Sequence, residues 1–145
     1  MKILGIDPGR TTGWAMLTFN DKGINTTLNF GETKDLNLLE IQNRIEEADQ
    51  VVYESFLLRP KQARKGSFDW DPMETPQVIG SLKLLCRQLG KPIAEQNPSI
   101  KPVGYGFANM KYVPGKKGMH AQDAICHAFY YAVKNVGLKP ILVES

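Results

Sequence analysis

The stretch that most constrains this chain is its opening, MKILGIDPGR (1–10). KILGID (2–7) is a short apolar run that reads as a buried strand, and it stops on one carboxylate, Asp7, followed at once by Pro8-Gly9. Asp-Pro-Gly is turn chemistry. The next run, TTGWAMLTF (11–19), therefore folds back beside the first as a second strand. Asp21-Lys22-Gly23 marks another turn, and the threonine-rich INTTLNFGE (24–32) supplies a third strand, completing an antiparallel meander. A buried strand does not need an acid at its tip, but a ligand beyond the tip can use one.

The pattern then changes period. LNLLEIQNRIEEA (36–48) carries Leu38, Leu39, Ile41, Ile45 and Ala48 at helical spacing with charges opposite. QVVYESF (50–56) is a short strand reached through that helix, which predicts that it runs parallel to strand one. Residues 57–73 form a loop that contains Phe68-Asp69-Trp70-Asp71-Pro72. ETPQVIGSLKLLCRQLG (74–90) reads as a helix with Pro76 in its first turn and Gly90 at its stop. KPIAEQ (91–96) is a further strand, and 97–118 holds four glycines and three prolines, which predicts short helical pieces and loops. MHAQDAICHAFYYAVKNVG (119–137) is a long helix ended by Gly137, with Ala124, Ile125, Ala128, Phe129, Ala132 and Val133 as its core stripe. The order predicts an α/β fold in one domain spanning 1–145. Its mixed five-stranded sheet has three antiparallel and two parallel strands and is flanked by helices.

A chain of 145 residues suits one domain with a real core. No apolar run approaches the roughly 20 residues of a membrane span, and the four apolar residues between Lys2 and Asp7 are too few for a secretory signal. Cys86 and Cys126 match no metal-ligand spacing and read as reduced core residues of a cytoplasmic protein. The net charge of +3 is mild, so its distribution matters more. Residues 57–68 carry Arg59, Lys61, Arg64 and Lys65 with no acid, and 96–119 carry Lys101, Lys111, Lys116 and Lys117 with none. Such runs are ordinary as solvated loops. Beside isolated carboxylates they point to a phosphate-bearing partner.

Four side chains stand out. Asp7 ends strand one, Glu54 ends strand four, and His120 and Asp123 lie three apart on one face of the last helix. Each has an ordinary reading: a turn residue, a surface acid, a helix cap and an acid at a positive helix end. His127, four residues after Asp123, reads as a packed or half-exposed helix histidine rather than a ligand. If strands one and four are adjacent and parallel, Asp7 and Glu54 emerge at the edge where open α/β sheets bind ligands. Three carboxylates and a histidine converging there would repel one another without a cation. Oxygen donors with a single imidazole suit Mg²⁺ or Mn²⁺. Two such ions, roughly 3.5–4 Å apart, activate water and stabilise the leaving oxygen of a phosphodiester.

On these residues the chain resembles the RuvC-type Holliday-junction resolvases of the ribonuclease H-like superfamily. ILGIDPG (3–9) is similar to the family's opening strand and first catalytic Asp, VVYESF (51–56) to its second acidic position, and QVIGSL (77–82) to the start of its long helix. Asn97-Pro98 through Lys101, with GYGFANMK ending at Lys111, resembles its lysine-bearing region, and HAQDAICHA (120–128) its final acidic motif. The resemblance implies a ribonuclease H-like fold and a Mg²⁺-dependent endonuclease that resolves four-way junctions as a homodimer. It implies two ions per active site, held by Asp7, Glu54, Asp123 and His120, with Mn²⁺ able to substitute. His120 either ligates the second ion or handles a proton. Lys101 and Lys111 would neutralise charge on the scissile phosphate. Phe56 resembles the family aromatic that stacks on an unpaired base, and Trp70 either offers a second stacking surface or, within FDWDP, pins the loop. Arg59, Lys61, Arg64, Lys65, Lys116 and Lys117 would meet the DNA backbone.

The chain departs from the family in its long 57–73 loop, in Pro102 directly after Lys101, and in its compactness. These leave open a broader nuclease that also cuts forks, Y-junctions and flaps, or a binding module without catalysis. The compactness suits a bacteriophage member acting in the host cytoplasm. Val78, Leu82, Leu85 and Leu89 form a stripe that serves either a dimer surface or the monomer core.

Overall fold

The computed structural model describes residues 1–20, 22–23, 25–34, 38–56 and 70–139. Strands β1 (Lys2–Asp7), β2 (Thr11–Thr18) and β3 (Thr27–Lys34) form the expected antiparallel meander, followed by helix α1 (Leu38–Glu47) and strand β4 (Gln50–Glu54). Helix α2 (Trp70–Leu89), strand β5 (Ile93–Gln96) and helix α3 (Lys101–Phe107) come next, and helix α4 (His120–Tyr131) follows. The strand order is β3-β2-β1-β4-β5. β4 is parallel to both β1 and β5, so the sheet is mixed.

The central strands are buried on both faces, and the period of two divides their side chains between two cores. Leu4, Ile6, Val51 and Tyr53 pack with Ile41 and Ile45 of α1 and Val78, Leu82 and Cys86 of α2. Ile3, Ala15, Leu17 and Val52 pack with Ala124, Ile125, Ala128 and Phe129 of α4. Asp7 and Glu54 continue the second set, so both acids emerge on the α4 side of the sheet. Register places them together: Ile6 pairs with Tyr53, and each acid follows by one residue.

Helix α4 lies unusually close to the sheet. A Cβ at Gly5 would run into the Ala124 carbonyl oxygen, and one at Gly13 into the carbonyl of His120. Glycine at both positions lets the helix backbone rest on β1 and β2.

Several elements differ from the sequence expectation. Helix α2 begins at Trp70, four residues before 74, so part of FDWDP is helical and Pro76 is interior. Pro72 then occupies the first turn, where its missing N–H has no intrahelical partner to lose. Leu39 points to solvent at 68% exposure, although its spacing placed it on the buried stripe. Val78 and Leu82 are fully buried and Leu85 and Leu89 pack against them, so this stripe belongs to the monomer core rather than a dimer surface. The last helix passes at Ala132–Val136 into a π-turn, and Gly137 ends it at φ 89°. Pro102 sits in the first turn of α3, where it costs no hydrogen bond. Both cysteines are free and buried. Among the described residues no helix is long and apolar enough to cross a membrane.

Gly5→Ala should destabilise the protein by about 3 kcal/mol, because the added methyl must push α4 off β1. Urea denaturation measures this. An alanine variant as stable as the parent would show that α4 does not rest on β1.

Candidate active site

Asp7 and Glu54 stand at the tips of neighbouring parallel strands, and α4 lays Asp123 across them. One carboxylate oxygen from each lies within 4.8 Å of the other two. Each acid has its own partner. His120 Nδ1 is 3.0 Å from Asp7 Oδ2. His127 Nε2 is 3.3 Å from Glu54 Oε1. The Tyr105 hydroxyl donates to Asp123 Oδ1. The Lys101 ammonium bridges two of the acids, 2.8 Å from Glu54 Oε1 and 3.1 Å from Asp123 Oδ2.

The electrostatics follow from this wiring. Asp7 is pushed up to about 7, chiefly by burial, with the charges of Glu54 and Asp123 adding and the His120 hydrogen bond opposing. Glu54 is held down to about 2, because burial is outweighed by bonds from His127 and Lys101. Burial also opposes the charge on Lys101, but the two acids overcome it and push its pKa up, so it remains a cation at any physiological pH. His120 is raised, mainly by its hydrogen bond to Asp7, with Glu32 and Asp123 adding.

The structure therefore brings together Asp7, Glu54, Asp123, His120 and Lys101. His120 joins through Asp7 and is not one of the three mutually close oxygen donors. Lys111 is exposed and makes none of the described contacts to the acids. Lys116 lines a cavity of about 200 Å³ together with Lys101, Tyr105, Tyr112, Met119 and Asp123. Lys117 is exposed, and Phe56 is half-buried just past the end of β4. Arg59, Lys61, Arg64 and Lys65 lie outside the described residues, and so does the side chain of Trp70.

Sequence reading missed four contributors. His127 is packed, fully buried, as one of its two readings had it, but its bond to Glu54 was not anticipated, and Gln96 of β5, paired with Glu54 across the strands, reaches its ring. Tyr105 is buried on α3, and no local pattern tied it to Asp123. Glu32 Oε1 accepts the Ala121 N–H at 3.4 Å and so caps α4, whose own N-cap residue, Met119, offers no side-chain acceptor. The only sequence signals were the i,i+4 spacing of Asp123 and His127 and a glutamine at a strand end.

The mixed five-stranded sheet with helices on both faces is the RuvC, ribonuclease H-like fold, and the three carboxylates lie at one strand edge of it. Thermus thermophilus RuvC in complex with a Holliday junction substrate superposes with a TM-score of 0.62 at 16% identity, covering 91% of this chain and 93% of that one. Fowlpox virus resolvase, in complex with Holliday junction DNA, gives 0.51 at 14% identity, covering 90% and 93%. The yeast mitochondrial Holliday junction resolvase Ydc2 gives 0.54 at 12% identity, covering 88% and 74%. No family model and no curated protein matches the sequence itself.

The two perturbed acids affect stability in opposite directions. Glu54 stabilises the fold above about pH 4.5, and that contribution is lost as pH falls toward 2. Asp7 destabilises it as pH rises from 3.8 through about 7. In chelator, Asp7→Asn should therefore raise the melting temperature at pH 8 by about 5 °C, a gain that grows between pH 4 and 7 and then levels off. Thermal melts across pH test this, and a variant that tracks the parent throughout would refute the strain at Asp7.

Proposed function

We propose that this chain is a divalent-metal-dependent endonuclease that resolves four-way DNA junctions as a homodimer. The observation that carries the reading is the convergence of Asp7, Glu54 and Asp123 at one strand edge, with buried Asp7 pushed toward its neutral form. Hard oxygen donors under mutual repulsion fit Mg²⁺ or Mn²⁺. Such ions, when bound, would activate water and offset charge on the leaving oxygen of the phosphodiester.

The chain's own residues supply the rest. Asp7, Glu54 and Asp123 hold the cations. Lys101 stays protonated and, on exchanging a carboxylate for a phosphate oxygen, stabilises the charge that builds there during hydrolysis. His120 has Nδ1 committed to Asp7, so Nε2 is the atom able to take or give a proton. Lys116 extends positive charge beside the centre with Lys117 next to it in the chain, and Arg59, Lys61, Arg64 and Lys65 follow Glu54 in the chain. The resolvases of like architecture described with junction DNA support the substrate class. Two symmetric nicks call for two sites related by a two-fold axis. With Val78 and Leu82 in the core, a dimer through α2 would use the opposite face, where Gly80 and Leu84 are exposed.

Cleavage of matched labelled DNAs in Mg²⁺ is the test: a four-way junction, a Y-fork, a flap and a linear duplex. Paired symmetric nicks in the junction alone are expected. Equal cutting of every branched DNA would replace resolution with general debranching, and junction binding without cutting would leave a binding module. Asp7→Asn should abolish cleavage and keep junction binding, since it removes a metal ligand and little else. Replacing Lys61, Arg64 and Lys65 with alanine should weaken binding and reduce the slope of log affinity against log salt by about 0.9 per lost phosphate contact. An unchanged slope would move the DNA path elsewhere.

A further inference from the structure

We infer that His127, itself fixed by Gln96, is a positioning residue that holds Glu54 in the orientation required to bind metal; this rests on the metal-dependent reading above. His127 is completely buried, so its imidazole cannot reach DNA or solvent. Its contact with the site is Nε2 to Glu54 Oε1, at 3.3 Å.

The direction of that hydrogen bond is decided on the other side of the ring. Gln96 Nε2 lies 3.0 Å from His127 Nδ1 and also 3.0 Å from the His127 backbone carbonyl oxygen. An amide –NH₂ has two hydrogens and can serve both acceptors. Reversing the amide would set its oxygen against the carbonyl oxygen, which electrostatic repulsion forbids. Nδ1 is therefore the acceptor, the ring proton is on Nε2, and it points at Glu54. Strand pairing makes this arrangement possible, because Glu54 and Gln96 are direct neighbours in the parallel β4–β5 register. The helix does the rest: His127 lies four residues after Asp123, on the same face of α4.

The contact has a purpose that Lys101 cannot fulfil. Lys101 and His127 both bond to Glu54 Oε1, so Oε2, which has neither contact, would be the oxygen offered to a cation. Lys101 is partly exposed and has a flexible stem, and in the proposed reaction it moves to phosphate. His127 is buried and held on its far side by Gln96. It is the contact that keeps Glu54 in place once Lys101 has left.

Mn²⁺ titration of the full chain, followed by the loss of the free-ion electron paramagnetic resonance signal, tests this without DNA. His127→Leu should weaken Mn²⁺ binding by about tenfold or more, the range for losing such an outer contact. His127→Gln, whose Nε2 can donate to the same oxygen, should restore binding to within about threefold of wild type. Equal Mn²⁺ affinity in wild type and His127→Leu would overturn the positioning role alone. A wild-type protein that binds no Mn²⁺ would overturn the metal-dependent reading and this inference with it. Should His127→Leu fail to fold, ¹⁵N spectra of the wild-type imidazole decide: a proton on Nε2 supports the inference, and a proton on Nδ1 overturns it.

Discussion

Helix α4 rests with its backbone on β1 and β2, and the geometry of the site depends on that contact. It is possible only because Gly5 and Gly13 present no side chain to the carbonyls of Ala124 and His120. The contact brings Asp123 over the tips of β1 and β4, beside Asp7 and Glu54. It also brings His120 to Asp7 and His127 to Glu54. With α4 a few ångströms farther out, Asp123 would no longer meet Asp7 and Glu54 at the strand tips.

Bringing them together creates an electrostatic problem that the protein solves unevenly. Glu54 accepts bonds from His127 and Lys101 and is held charged. Asp7 is buried, faces two other acids and, among the described residues, has only His120 in compensation, so it is pushed toward its neutral form. The imbalance is suited to a cation that arrives later. A site balanced by fixed side chains would gain little from binding metal, whereas one with an unrelieved carboxyl at its centre gains a great deal. Lys101 is the counter-charge that bridges two of the acids, and its side chain is partly exposed.

Much of this was legible beforehand. The meander, the crossover to β4 and the long final helix follow from periods of two and 3.6 and from glycine and proline stops, all of which are local signals. Asp7, Glu54 and Asp123 could be picked out because each is an acid at the end of an apolar element. The start of α2 was misplaced because two prolines four residues apart offer the same first-turn signal, and only the helix itself shows which one uses it. Leu39 was misassigned because helical spacing defines a stripe only to within one residue at its margin, and the core here takes Ile41 and Ile45.

The sequence by itself determined the order and type of the elements, and it placed Asp7 and Glu54 at strand ends and Asp123 in the first turn of a helix. Those properties depend on near neighbours in the chain and on a topology with few alternatives. Only the tertiary structure decided what each acid touches. Tyr105 reaches Asp123 from α3, Gln96 reaches His127 from β5, and Glu32 caps α4 from β3. Each of these contacts joins residues far apart in the chain through a single hydrogen bond, which leaves no periodicity in the sequence. The first two exist because close packing leaves the buried groups of Tyr105, Gln96 and His127 no water to turn to, so each finds its partner within the protein.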